Sequence, residues 1–163
     1  MKKLVSIILV LVTVMACVLA AGCKNTEGSQ SNPVTETVEQ LWDKVKAVSG
    51  FGNMTAVPKA DYSDIYGIDA SKIDSSIWLV SENPSLNADE GAIFKVNDPE
   101  YAAVLAKIFQ DRLDRQLQVA KSYSPDEASK IESAEVVAKG NYVYYFVGKA
   151  GKAMTDVLKA IIK

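Results

Sequence analysis

The chain has 163 residues, 48% of them hydrophobic and 23% charged, enough for one packed core once a processed leader is set aside. Its formal net charge of −2 and the absence of any Lys/Arg cluster, with Arg112 and Arg115 as the only arginines, argue against a nucleic-acid partner, which needs a phosphate-neutralising surface. It contains no histidine, which excludes hydrolases with an imidazole base and metal centres built on imidazole.

In chain order, Lys2 and Lys3 come first, then an apolar run over 4–18, then the small residues Ala20, Ala21 and Gly22 before Cys23. A positive start, an apolar stretch and small residues in that order make an export signal. The segment Leu19-Ala20-Ala21-Gly22-Cys23 resembles the lipobox of bacterial lipoproteins, with Ala20 where leucine is commonest and Leu19 one place early. That resemblance implies a leader over 1–22, cut before Cys23, and a diacylglycerol on the Cys23 thiol that holds the protein at the cell membrane, facing outside the cytoplasm. Two acyl chains at ~0.8 kcal/mol per buried CH₂ anchor a protein far better than one. Two alternatives stay open. The apolar run approaches the ~17–25 residues that span a bilayer, so the leader can be an uncleaved anchor. Cys17 can be the acceptor instead, although cutting there would leave the apolar residues 18–21 on the mature end. With Cys23 acylated and Cys17 removed, no free thiol remains for nucleophilic or metal chemistry. Residues 24–33, KNTEGSQSNP, carry no large apolar side chain and read as a flexible tether with Cys23, spanning on the order of 15–20 Å. The folded domain is therefore expected at 34–163.

Helix signals open that domain. Asn32 and Pro33 offer a cap and a first-turn proline, and Val34, Val38, Leu41, Trp42, Val45 and Val48 recur at helical spacing until Gly50. Two short β-rich runs follow, 77–80 and 92–96, separated by the turn-rich stretch 82–87. Asp98-Pro99-Glu100 starts a long helix to about Ser122. Tyr101, Val104, Leu105, Ile108, Phe109, Leu113, Leu117 and Ala120 line its apolar side, and it is roughly 36 Å long at ~1.5 Å per residue. Ser124-Pro125-Asp126-Glu127 has the form of a capping box for a short helix through Ile131. Runs at 135–138 and 142–147 flank Gly140-Asn141, a two-residue hairpin signal, and a last helix sends Met154, Val157, Leu158 and Ile161 to the core. Paired strands among helices predict an α+β fold: a two-layer domain with an antiparallel sheet of about four strands in two hairpins, packed by the long central helix plus N- and C-terminal helices.

Tyr66-Gly67-Ile68-Asp69, the run 89–95 (DEGAIFK), a long helix carrying Arg112 and Gln116, Tyr123-Ser124-Pro125 and Gly140-Asn141-Tyr142-Val143 follow one another along the chain. In that order they resemble the bacterial lipoproteins grouped as domain of unknown function 4358, over most of 60–147. The resemblance implies an envelope location and this size of fold, and it adds no mechanism.

Candidate sites are few. Asp61, Asp64, Asp69 and Asp74 form an acidic loop, with Asp64 and Asp69 the nearest to a Ca²⁺ site, but the ion-wrapping D-x-D-x-D-G spacing is absent and helix caps and turns suit these residues better. Asp89 and Glu90 are adjacent carboxylates that strand geometry points to opposite faces, and Ser71 and Lys72 are adjacent residues that rarely meet. No metal or other cofactor is called for. In the strand 142–147, alternation puts Tyr142, Tyr144 and Phe146 on one face and Val143, Tyr145 and Val147 on the other. A two-layer domain cannot cover both faces equally, so part of this aromatic ladder is expected to stay exposed, with Tyr142, Tyr144 and Phe146 as a partner-binding surface; the alternative is that these rings pair across strands and fill the core. The favoured reading is a non-catalytic interaction module at the cell envelope, bound to the membrane through Cys23 and to an envelope protein or ligand. An enzyme working through carboxylates, or a small solute-binding component of a transporter, are the alternatives.

Overall fold

The computed structural model describes residues 34–163. The leader, Cys23 and the tether of the sequence reading, with Asn32 and Pro33, lie outside the described residues. Five helices and a five-stranded antiparallel sheet make an α+β domain: α1 Val38–Ser49, β1 Met54–Ala56, α2 Asp61–Asp64, β2 Ile73–Ser81, β3 Glu90–Val96, α3 Pro99–Tyr123, α4 Pro125–Glu132, β4 Val137–Lys139, β5 Tyr142–Val147 and α5 Gly151–Ile161. The strand order is β1-β2-β3-β5-β4. Both expected hairpins are present, β2 with β3 and β4 with β5, and β3 pairs with β5 to join them. The fifth strand, β1, runs along β2 at the edge, with Thr55 opposite Val80. Its three residues carry no alternation from which to read it. Among the described residues no helix is long and apolar enough to cross a membrane.

Local chemistry sets most of the boundaries. Thr37 caps α1 in a reciprocal capping box with Gln40, so the helix starts at Val38 and Val34 precedes it. Gly50 ends it in the left-handed conformation, at φ 59°, which glycine adopts without a side-chain clash. The Asp98 side chain accepts from the Glu100 amide at 3.0 Å and Pro99 occupies the first turn of α3, as its sequence predicts. At α4 the outcome differs. Ser124 makes no side-chain capping bond, and the Glu127 side chain turns to the β2–β3 loop, where it accepts from the Ala88 amide at 2.7 Å.

Helix α3 braces one face of the sheet. Leu105, Phe109 and Leu113 bury against Trp78, Phe94, Val143 and Tyr145. Val104, expected on this apolar side, is exposed instead. The other face is also covered. Val38, Leu41, Trp42 and Val45 of α1, with Met154 and Leu158 of α5, pack on Ile93, Tyr142, Tyr144 and Phe146. Gly91 makes this contact possible, since a β-carbon there would lie 2.9 Å from the Trp42 ring.

Candidate functional site

The central strand β3 opens on a carboxylate. Glu90 lies opposite Val80 of β2 and Val147 of β5, on the face covered by α3, and is 2% exposed. A buried charge is unfavourable unless it is paired and hydrogen-bonded, and the surroundings of Glu90 supply both. Arg112 grips both oxygens: Nε donates to Oε1 and Nη2 to Oε2, each at 3.0 Å. Gln116 Nε2 donates to Oε2 at 3.1 Å and Trp78 Nε1 to Oε1 at 2.8 Å, and the Tyr145 hydroxyl donates to Oε1 as well. Helical spacing explains how α3 does two jobs. Arg112 and Gln116 are one turn apart and fall on the stripe of Leu105, Phe109 and Leu113, so the face that fills the core also delivers the donors.

The guanidinium of Arg112 is held on its flat faces too. Its central carbon lies 5.2 Å from the Tyr66 ring centre and 5.3 Å from that of Trp78. Burial alone would lower the pKa of Arg112, but the hydrogen bonds and charge of Glu90 leave it raised. Burial, reinforced by the Glu90 charge, raises the Tyr145 hydroxyl well above its ordinary value, so it keeps its proton and acts as a donor.

Beside this network lies a second one. Lys130 of α4 donates to Asp89 Oδ1 at 3.1 Å and to Asn87 Oδ1 at 3.1 Å, and pairs with Glu127 at 2.9 Å. Burial works against the charge of Glu127, but the Ala88 amide and Lys130 outweigh it and hold this carboxyl below its ordinary value. Lys130, opposed by burial in the same way, is held above its ordinary value by Glu127 and Asp89.

The two networks share the wall of a cleft of about 670 Å³ between the β2–β3 loop, the C-terminal half of α3 and the start of α4. Small-molecule sites commonly enclose ~300–1,000 Å³. Three apolar side chains on its rim face water: Leu86 at 74% exposure, Val119 at 62% and Tyr123 at 85%. Arg115 also lines it, exposed and without an ion pair among the described residues. The acids of the cleft, Asp89, Glu90 and Glu127, are each engaged by donors of the protein itself.

Other residues singled out in the sequence take different places. Tyr142, Tyr144 and Phe146 are 5%, 0% and 0% exposed, so the expectation of an uncovered aromatic face is corrected: α1 and α5 cover it, and these rings belong to the core. Asp69 caps the short turn Ala70–Lys72, accepting from the Ser71 amide at 3.0 Å and the Ser71 hydroxyl at 2.7 Å, and these bonds lower its pKa. Asp64 lies exposed in α2, Asp74 pairs with Lys95, and no three potential metal ligands come together among the described residues. Lys72 pairs with Asp98 at 3.1 Å, leaving no Ser-Lys dyad. Asp89 and Glu90 do diverge, each into its own network. The Arg112–Glu90 pair escaped the sequence reading, although a signal for it exists: two long polar side chains, Arg112 and Gln116, sit inside an apolar helical stripe.

No curated protein and no solved structure matches the chain. A family model does, described as a domain of unknown function (DUF4358) and matching residues 46–148. The matched stretch contains Tyr66, Glu90, Arg112, Gln116 and Tyr123, which are distant in sequence and gathered around one cleft. Spanning well over half of the 163 residues, the match establishes that the chain belongs to the DUF4358 family.

Proposed function

We propose that this protein is a non-catalytic binding module of the cell envelope, anchored in the membrane by a diacylglycerol on Cys23 and recognising its partner or ligand through the cleft beside Glu90 and Arg112. One observation carries the reading: the carboxylates of the cleft are engaged by the protein's own donors, whereas its apolar rim and its arginine donors are left available. A general base must reach the proton it removes. Glu90, 2% exposed and bonded to Arg112, Gln116, Trp78 and Tyr145, is built to hold Arg112 still and not to act on a substrate. The anchor rests on Leu19-Ala20-Ala21-Gly22-Cys23 and the polar stretch behind it. A tethered domain gains local concentration near any membrane or wall partner without needing catalysis.

The test places a photo-crosslinking side chain at position 119 or 123 in intact cells, with position 48, on the opposite side of the sheet, as control. Capture from 119 or 123 and not from 48, lost when Cys23→Ala releases the domain, is the expected result. Equal capture from position 48 would remove the cleft from the proposal. Acyl labelling that persists in Cys23→Ala would remove the anchor.

A further inference from the structure

We infer that the cleft takes a terminal carboxylate carried on an apolar body, with the acid group at Arg112 and Arg115 and the apolar part against Leu86, Val119 and Tyr123. The inference rests on the proposed binding role of the same cleft and adds the chemistry of what is bound.

Arg112 carries the selectivity. A guanidinium has five N–H donors, and Glu90 receives two of them, from Nε and Nη2. Apart from the Tyr145 hydroxyl beside the guanidinium, no described residue takes the other donors, although the side chain is only 21% exposed and lines the cleft. The fork onto Glu90 and the rings of Tyr66 and Trp78 already fix the guanidinium plane, so little freedom is lost when a ligand arrives. An arginine held in this way offers the parallel donors that match a planar carboxylate. Glu90 balances the charge of Arg112. Lys130 is shared by Asp89 and Glu127, so the wall as a whole is close to neutral, and its cation without an ion pair among the described residues is Arg115, three residues further along α3.

The rest of the cleft excludes the opposite chemistry. An amine would need a free carboxylate, but Glu90 is held by Arg112 and Gln116, and Lys130 bridges Asp89 and Glu127. An apolar tail, by contrast, finds Leu86 on one rim and Val119 and Tyr123 on the other, and covering them removes apolar surface from water.

Two sources supply such a group, a fatty acid and the C-terminus of an apolar peptide. Decanoate and N-acetyl-Leu-Leu with a free terminus separate them, each titrated calorimetrically into the purified mature chain. Methyl decanoate, the peptide amide and decylamine serve as controls. The expected result is saturable binding of at least one acid, weakened about tenfold or more by esterification or amidation and by Arg115→Gln, the worth of one charge-assisted hydrogen bond. Val119→Ser, at an exposed site that the fold does not use, weakens the acid through its tail. Arg112→Lys keeps a cation for Glu90 and loses the outer donors, so it too weakens the acid while the variant still melts cooperatively. Binding of neither acid, equal binding of acid and ester, or unchanged binding in Arg115→Gln overturns the inference. Crosslinking from position 119 or 123 that persists while no acid binds would leave the binding role standing and sink only the ligand class.

Discussion

Two buried polar residues behave in opposite ways. Tyr144 is fully buried, and its hydroxyl has no hydrogen-bond partner among the described residues. An unmade bond of this kind costs on the order of 1 kcal/mol or more, so Tyr144→Phe is expected to stabilise the domain by about 1 kcal/mol in urea unfolding at neutral pH. The same hydroxyl has its pKa raised to about 12 by burial and by Glu135 nearby, from an ordinary 10.0. Ionising it is therefore harder in the folded domain than in the unfolded chain, so this group leaves stability unchanged with pH below 10.0 and lowers it as pH rises towards about 12, and the phenylalanine variant should lose less stability over that window. Glu90 is the reverse case, a buried charge with every bond made. Glu90→Gln removes the charge that Arg112 faces and should destabilise the fold by about 3–5 kcal/mol, measured the same way, because it leaves the guanidinium without its counter-ion. A loss below about 1 kcal/mol would mean that water replaces the carboxylate easily.

Elements show how local signals are redirected by tertiary neighbours. The Ser124 to Glu127 spacing has the form of a cap, yet Glu127 joins α4 to the β2–β3 loop through the Ala88 amide and to Lys130 on its own helix. Because the folded domain holds Glu127 below its ordinary 4.5, the stabilisation is present above pH 4.5 and lost as pH falls further. Glu127→Gln should therefore be less stable than the parent at pH 7, with the gap closing below pH 4.5 in acid-unfolding curves. A gap that stays constant with pH would assign the loss to packing. Strand β5 carries a related lesson. Its six residues, Tyr-Val-Tyr-Tyr-Phe-Val, are all buried, and an unbroken apolar run marks a strand covered on both faces. Alternation identifies which residues share a face. Whether a helix covers that face is decided by α1 and α5, one from each end of the domain.

At the scale of the whole molecule, the described residues 34–163 carry helices on both faces of one sheet, with one cluster of core side chains on each face. Produced without residues 1–33, this stretch is expected to melt in a single cooperative transition, followed by calorimetry and by tryptophan fluorescence from Trp42 on one face and Trp78 on the other. Transitions that separate between the two probes would show that the faces unfold independently. The cleft belongs to this scale too, since its walls come from a loop after β2, the end of α3 and the start of α4.

Local chemistry, written in neighbouring residues, was enough to determine the start of α3 at Asp98-Pro99, the Gly140-Asn141 hairpin, the stop at Gly50 and the α+β class, because each depends on backbone conformation and periodicity within a few positions. The three-residue edge strand β1 was too short to carry a pattern, and it exists because β2 offers it a partner. Only the tertiary structure decided that Tyr142, Tyr144 and Phe146 lie under helices, and that Glu90, 22 residues from Arg112 and 55 from Tyr145, is the point where their donors meet. A buried charge becomes tolerable only when distant donors converge on it, and no local pattern encodes that convergence.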